Sequence, residues 1–202
     1  MKIKAIGIAA LLLVAPLSLS ASIGVKAGLN FANVTNASSI NASSYTGYMA
    51  GVFLGPSSGG LLGFRTELLF SRQGYDFSSN ASTGSVKLDY LLLPMLLVVN
   101  LANIAQVHAG PQLAYLLKVN VDGAAPLDPK PGSLLDLYHR LDYGLALGGE
   151  VFPFMGFLVG ARINLSFGNL YKNLASAGGP PSYFPSINAK NNVVSLYAGY
   201  RF

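Results

Sequence analysis

The sequence has no cysteine and only two histidines, so neither a disulfide nor a cluster of soft metal ligands can stabilise the fold. We therefore expect no metal and no other cofactor. Charged residues make up only 10% of the chain, against roughly 25% in an ordinary soluble domain. The weak positive balance gives no basic patch of the kind that binds nucleic acid. Such sparse charge favours a membrane environment.

Long hydrophobic runs are also missing. Beyond the N-terminus the longest apolar run is "YLLLPMLLVV" at 90–99, and Pro94 interrupts it. A transmembrane helix needs about 20 apolar residues, whereas a transmembrane strand needs only about 9–11. A chain that crosses lipid with strands must close into a barrel, because an open edge would leave backbone groups without hydrogen bonds.

The N-terminus has the pattern of a secretory signal peptide. A basic segment, "MKIK", precedes an apolar core, "AIGIAALLLVAPL", and small residues follow in "SLSAS". We expect cleavage near Ser20, which divides the chain into a signal peptide at 1–20 and an outer-membrane β-barrel domain at 21–202. A membrane anchor that is retained is the alternative.

Alternation of apolar and polar residues predicts eight strands. They cover 22–34, 45–55, 61–73, 86–100, 104–119, 136–152, 156–168 and 192–202. Short connections at 56–60, 100–103 and 153–156 alternate with long ones at 35–44, 74–85, 120–135 and 169–191. This pattern is typical of an all-β, eight-stranded antiparallel up-and-down transmembrane barrel. An even strand count places both mature termini on one side, which we expect to be the periplasm.

The aromatic residues favour lipid on the outside of this barrel. Phe157 and Phe167 are ten residues apart, which corresponds to about 25 Å along the membrane normal, the height of the apolar band. Tyr200 and Phe202 would lie at the periplasmic interface, where the last strand closes against the first. The predicted interfacial aromatics are Phe31, Phe64, Phe70, Phe157, Phe167, Tyr200 and Phe202. A soluble lipocalin-like barrel, the alternative, would have the apolar set inside.

The opposite face of the strands predicts the interior. Its polar members include Gln106, His108, Gln112 and Lys118, together with a charge network to which we assign a structural role: Lys26, Arg65, Glu67, Arg140, Asp142, Glu150, Arg162 and Arg201. Buried charges must be paired, so a plug of ion pairs is favoured over a polar pathway. Pairs within a strand or across neighbouring strands are expected: Arg65 with Glu67, Arg140 with Asp142, and Glu150 with Arg162 or Arg201. Asp89 falls on the outward face, which suggests a β-bulge or a position at the lipid headgroups.

Several segments resemble the PorT-like outer-membrane β-barrel family of Bacteroidetes-type bacteria: "GVKAGLNFANV", "ELLFSRQGY", "LDYLLLPMLLVV", "GPQLAYLLK", "LVGARINLSFGNL" and "SLYAGYRF". The resemblance implies an eight-stranded outer-membrane barrel, with one branch of the family tied to protein secretion. It also implies that a terminal aromatic such as Phe202 is recognised by the barrel-insertion machinery. Leu92 stands where family members often carry an acidic residue, so we expect a drier interior there.

The expected function is an integral outer-membrane barrel of a Gram-negative bacterium, without catalysis. It would act through extracellular loops or as an accessory of an envelope or secretion assembly. Its expected partners are outer-membrane lipid, the insertion machinery and a secretion-system or surface partner, with Tyr183 and Phe184 as candidate recognition residues. A lipid-modifying enzyme is one alternative, which would need His108 or His139 beside a serine. A soluble ligand-binding barrel is the other.

Overall fold

The computed structural model describes residues 21–35, 43–56, 60–79, 82–101, 104–123, 138–168 and 190–202, and the predicted signal peptide at 1–20 lies outside them. The described chain forms eight strands: β1 (Ala21–Thr35), β2 (Ser43–Pro56), β3 (Leu62–Ser79), β4 (Ser82–Leu101), β5 (Ala105–Gly123), β6 (Leu141–Phe154), β7 (Phe157–Ser166) and β8 (Lys190–Arg201). Each pairs antiparallel with the next, and the sheet is a closed barrel. The predicted eight-stranded antiparallel barrel is confirmed. Within the described ranges no helix has the length and apolarity needed to cross a membrane.

The barrel closes between its first and last strands. β1 pairs with β8 from Gly24 opposite Arg201 to Thr35 opposite Lys190. The backbone N–H of Phe202 extends this ladder by donating to the carbonyl of Ile23 at 2.9 Å. The predicted closure of the last strand on the first is confirmed. We call the end of the barrel that carries Ala21 and Phe202 the terminal end, and the opposite end the distal end.

The two faces of the sheet differ sharply in chemistry. On the outer face, Leu29, Leu147 and Leu196 are each about half exposed, with relative accessibilities of 52%, 52% and 50%. On the inner face, Lys26 and Arg162 are almost completely buried. The apolar set therefore faces outward, as predicted. A soluble barrel with its apolar face inside would have the opposite arrangement.

Three neighbouring strands are much taller than the rest. β4 has 20 residues and β7 has 10, so at about 3.3 Å per residue and a tilt of about 40° they rise about 50 Å and about 25 Å. The predicted loop at 74–85 is wrong, because β3 and β4 stay paired up to Ser79 opposite Ser82. Tyr75 and Phe77 continue the inward positions of β3 and are buried on the inner face. β6 is shorter than predicted and begins at Leu141 instead of residue 136.

A bulge changes which residues of β5 face inward. Asp89 lies opposite Lys118, but the next residue of β4, Tyr90, lies opposite Leu116, so Leu117 is an extra residue in β5. One extra residue reverses the inward and outward faces beyond it. Lys118 is consequently exposed, and its predicted inward position is wrong. The bulge suspected from the outward position of Asp89 is present in this pair of strands.

Candidate functional site

Six ionisable side chains meet inside the terminal half of the barrel, and we call them the interior charge cluster. They come from β1, β3, β5, β6 and β7, and each occupies an inward position of its strand. The members are Lys26, Arg65, Glu67, His108, Glu150 and Arg162, and none is more than 3% exposed. All six lie where the sequence predicted them, on the inner face.

Glu67 is the centre of the cluster. Its carboxylate accepts two parallel hydrogen bonds from the guanidinium of Arg162, at 2.7 and 2.8 Å. The Nζ of Lys26 donates to the same carboxylate at 2.6 Å. Arg65, which lies two residues before Glu67 on β3, approaches it only to 4.0 Å. One carboxylate therefore serves two cations from other strands.

The second carboxylate, Glu150, binds Arg65. The guanidinium of Arg65 donates one bond to Glu150 and another to the side-chain oxygen of Gln106, the latter at 2.5 Å. The hydroxyl of Tyr197 donates to Glu150 at 3.3 Å. Gln106 in turn donates to Asn100. These neutral groups complete the hydrogen bonding of the second ion pair, as a buried pair requires.

Two aromatic rings pack against the cations. The Nζ of Lys26 lies 4.6 Å from the ring centroid of Tyr197 and 5.5 Å from that of Phe53. The guanidinium carbon of Arg65 lies 4.9 Å from the Phe53 centroid, and that of Arg162 lies 5.6 Å from the Tyr197 centroid. Cation–π contacts of this kind stabilise positive charge that has lost its water. They offset the excess of cations over carboxylates in the cluster.

The two histidines lie in different surroundings. Nε2 of His108 accepts a hydrogen bond from Nε of Arg162 at 3.3 Å, so its lone pair is not free to activate a nucleophile. His139 lies on the exposed surface just before β6. Within the ranges that the structure describes, there is also no group of three His, Asp or Glu side chains that could hold a metal ion.

Three members of the predicted charge network lie outside the cluster. Arg140 is exposed and precedes β6, and its backbone carbonyl accepts a hydrogen bond from the N–H of Leu116 at 2.7 Å. Its predicted inward position is therefore wrong. Asp142 is half-buried near the distal end. Arg201 is half-buried at the terminal end, with its guanidinium carbon 4.7 Å from the ring centroid of Phe152.

A layer of neutral polar side chains covers the distal side of the cluster. Asn30 donates to the hydroxyl of Ser71 at 2.8 Å and accepts from the hydroxyl of Ser195 at 2.7 Å. Gln73 donates to Ser71 at 2.8 Å, and Asn164 donates to Ser195 at 3.4 Å. This layer connects β1, β3, β7 and β8 across the interior. The charge cluster is thus sealed by a second set of side-chain contacts.

At the distal end, the tall strands form a projecting wall that comprises residues 72–79 of β3, 82–89 of β4 and 118–123 of β5. Its outer face is charged. Arg72 donates two bonds to Asp89, at 2.7 and 2.9 Å. Lys87 pairs with Asp122, and that hydrogen bond raises the pKa of Lys87 above its usual value. The sequence prediction missed this wall, because the segment at 78–85 is rich in serine and shows no alternation of apolar and polar residues.

Outward aromatic residues contact one another at both ends of the barrel. At the terminal end, the Tyr200 ring lies 5.0 Å from Phe157 and 5.1 Å from Phe202, centroid to centroid. At the distal end, Tyr143 lies 6.5 Å from Phe167. Further predicted interfacial aromatics are also on the outer face: Phe31 and Phe64 are exposed, and Phe70 is partly exposed beside Tyr48. The candidate recognition residues Tyr183 and Phe184 lie outside the described residues.

A closed barrel with an apolar outer face, aromatic residues at both ends and a charged interior is the architecture of a bacterial outer-membrane protein. The family model described as outer membrane protein beta-barrel domain matches residues 16–172, more than half of the chain. The chain belongs to this outer-membrane β-barrel family. No curated protein sequence matches the chain.

Solved outer-membrane proteins resemble this family member in structure. Neisserial surface protein A aligns with a TM-score of 0.57 and 12% identity, over 91% of this chain and 99% of that chain. Ail of Yersinia pestis aligns with a TM-score of 0.49 and 13% identity, over 91% of this chain and 99% of that chain. OprG of Pseudomonas aeruginosa aligns with a TM-score of 0.49 and 12% identity, over 91% of this chain and 96% of that chain. The likeness to the Neisserial protein supports the fold and, at this identity, nothing further.

Proposed function

We propose that this outer-membrane barrel is a non-catalytic membrane protein with a closed interior, and that its working surface is the distal end. Support comes first from the bond between Arg162 and Glu67. β7 and β3 are four strands apart in either direction around an eight-stranded barrel, so this ion pair spans the full width of the interior. An eight-stranded barrel is barely wide enough for its own side chains, and here they meet.

The distal end offers what the interior lacks, which is exposed polar surface. The apolar band of an outer-membrane barrel is about 25 Å tall. Strands of the length of β4 rise about twice as far, so the projecting wall stands clear of lipid. Its outer charges, including Lys87 and Asp122, are compatible with water or with a hydrated partner. We therefore propose that the wall and its neighbouring connections bind a surface partner or an envelope assembly.

The orientation of the barrel in the outer membrane is part of the same proposal. The tall strands β3 to β5 rise at the distal end, which supports an orientation with that end outside the cell and with both mature termini facing the periplasm. A PorT-like relationship, with a role beside a secretion system, is one form that the envelope role would take. The resemblance of "ELLFSRQGY" and "LDYLLLPMLLVV" to that family supports it.

Ion conduction through planar bilayers tests the closed interior. We expect the purified barrel to give no porin-sized current steps, because Glu67 holds Lys26 and Arg162 across the lumen. A triple variant, Lys26→Ala with Glu67→Ala and Arg162→Ala, should conduct if it folds, and it shows that the assay detects an open interior. Regular steps from the unaltered protein would refute the proposal and favour a channel.

A further inference from the structure

A cavity lies inside the barrel on the distal side of the interior charge cluster, where the short strands β6 and β7 end. Its polar lining comes from five strands, β3 to β7: Gln73, Tyr90, Gln112, Asp142, Asn164 and Ser166. On the four of these strands that also carry a member of the charge cluster, β3, β5, β6 and β7, the lining residues lie nearer the distal end. The cavity is therefore separate from the interior charge cluster.

Two amide oxygens in this lining lack partners. Oε1 of Gln112 and Oδ1 of Asn164 are buried and make no hydrogen bond within the described part of the chain. Gln112 is 8% exposed and Asn164 is 6% exposed. Buried carbonyl oxygens without a donor are rare in folded proteins, because leaving them unpaired costs the free energy of their lost hydration. Both residues line the same cavity, so a donor group bound there is a candidate partner for these oxygens.

Asp142 adds a negative charge, the only charge that the described residues contribute to the lining. Its carboxylate is held by the backbone N–H of Tyr143 at 2.7 Å, by that of Gly168 at 3.0 Å and by the hydroxyl of Ser166. These three bonds fix the carboxylate in place at the cavity wall. Among the residues that the structure describes, no guanidinium or ammonium group lines this cavity. The cavity therefore combines a negative charge with unpaired acceptors.

We propose that this cavity binds a single ammonium group, either the free ion or the primary amine of a small compound. An ammonium group carries several N–H donors that point in different directions, which matches acceptors on different strands. Its positive charge pairs with Asp142, and charge-assisted bonds of this kind are the stronger ones. The single carboxylate does not make the multi-acidic ligand set that Ca²⁺ prefers. This site goes beyond the proposed function, which depends on the closed plug and the projecting wall.

Nuclear magnetic resonance of the ¹⁵N-labelled barrel in detergent micelles tests the site. The side-chain amide signals of Gln112 and Asn164 would be followed during titration with ammonium chloride and with methylammonium chloride. Sodium chloride controls for ionic strength. Tetramethylammonium chloride controls for positive charge without an N–H donor. We expect saturable shifts with the ammonium salts alone.

The two ammonium salts distinguish the sources of the ligand. Saturation by ammonium and not by methylammonium restricts the site to the free ion, and saturation by both extends it to primary amines. Either result supports the proposal. Equal shifts with tetramethylammonium or sodium, or no saturable shift with any salt, would overturn it and leave a cavity that holds only water.

Two variants tie the binding to the named residues. Asp142→Asn removes the charge, and Gln112→Leu removes an oxygen that makes no bond in the described chain, so the second variant should fold normally. We expect each to weaken ammonium binding at least tenfold, read from the signal of Asn164. Asp122→Asn makes the same chemical change on the outer face of the projecting wall and should leave the affinity unchanged. Undiminished binding in both cavity variants would overturn the proposal.

Discussion

Gly28 on β1 lies directly opposite Tyr197 on β8, at the seam where the barrel closes. A Cβ atom at Gly28 would lie 2.1 Å from the carbonyl oxygen of Leu196 and 2.6 Å from the Cα of Tyr197. Both of these atoms belong to the backbone and cannot move without displacing β8. Glycine at this position therefore allows the last strand to approach the first closely enough to complete the ladder.

Replacing this glycine should weaken closure of the barrel. We expect Gly28→Val to lower the free energy of unfolding by about 1–3 kcal/mol, because the overpacking can be relieved only by moving the backbone. The measurement is gel mobility in SDS without boiling, in which a closed barrel migrates differently from the boiled chain, at increasing temperature. Ala27→Val is the matched control, since Ala27 is the next residue and lies on the exposed outer face. Equal melting of the two variants would contradict the role of Gly28.

Removing the charge of Glu67 should be more damaging than removing an exposed carboxylate. Glu67→Gln leaves Lys26 and Arg162 buried without an anion, and breaking such a pair costs about 3–5 kcal/mol. Urea-induced unfolding in lipid vesicles measures the loss. The control is Asp122→Asn, because Asp122 is exposed and its pair with Lys87 is screened by water. If Glu67→Gln were no less stable than Asp122→Asn, the charge cluster would not be a structural element.

The absence of cysteine makes the orientation directly measurable. Thr83→Cys places a single thiol on the exposed face of the projecting wall, and Met155→Cys places one in the tight turn between β6 and β7, where Met155 is 95% exposed. A maleimide that cannot cross membranes should label Thr83→Cys on intact cells, and Met155→Cys only after the outer membrane is permeabilised. The reverse pattern would show that the distal end faces the periplasm.

Most of the fold prediction came from the alternation of apolar and polar residues along the strands. Alternation such as that of Val25, Ala27 and Leu29 with Lys26 and Gly28 is a local property, so it could be read without knowing any neighbour. It predicted the strands, the outward apolar face and the inward position of the six charges. It failed at Lys118 because a bulge depends on the partner strand, and an extra residue in β5 becomes visible only in the register with β4.

The alternation of residues along a strand could not predict which of the charged side chains form ion pairs. The sequence suggested Arg65 with Glu67 and Arg140 with Asp142, which are close neighbours along their strands. In the structure Arg65 pairs with Glu150, and Arg140 is exposed outside the ladder of β6. Residues two apart on a strand lie more than 6 Å apart along the backbone, whereas side chains from distant strands meet in the narrow interior. Glu67 binds cations from two other strands because closure of the barrel brings those strands to face one another.

The sequence alone therefore determined the class of the protein, because sparse charge, missing apolar helices and a period of two leave a membrane barrel as the consistent solution. It also determined which faces of the strands meet lipid. Only the tertiary structure decided which charges pair, that β3 to β5 continue into a wall, and that Gln112, Asn164 and Asp142 share one cavity. These features depend on strand register and barrel diameter, which fix distances between residues far apart in the chain.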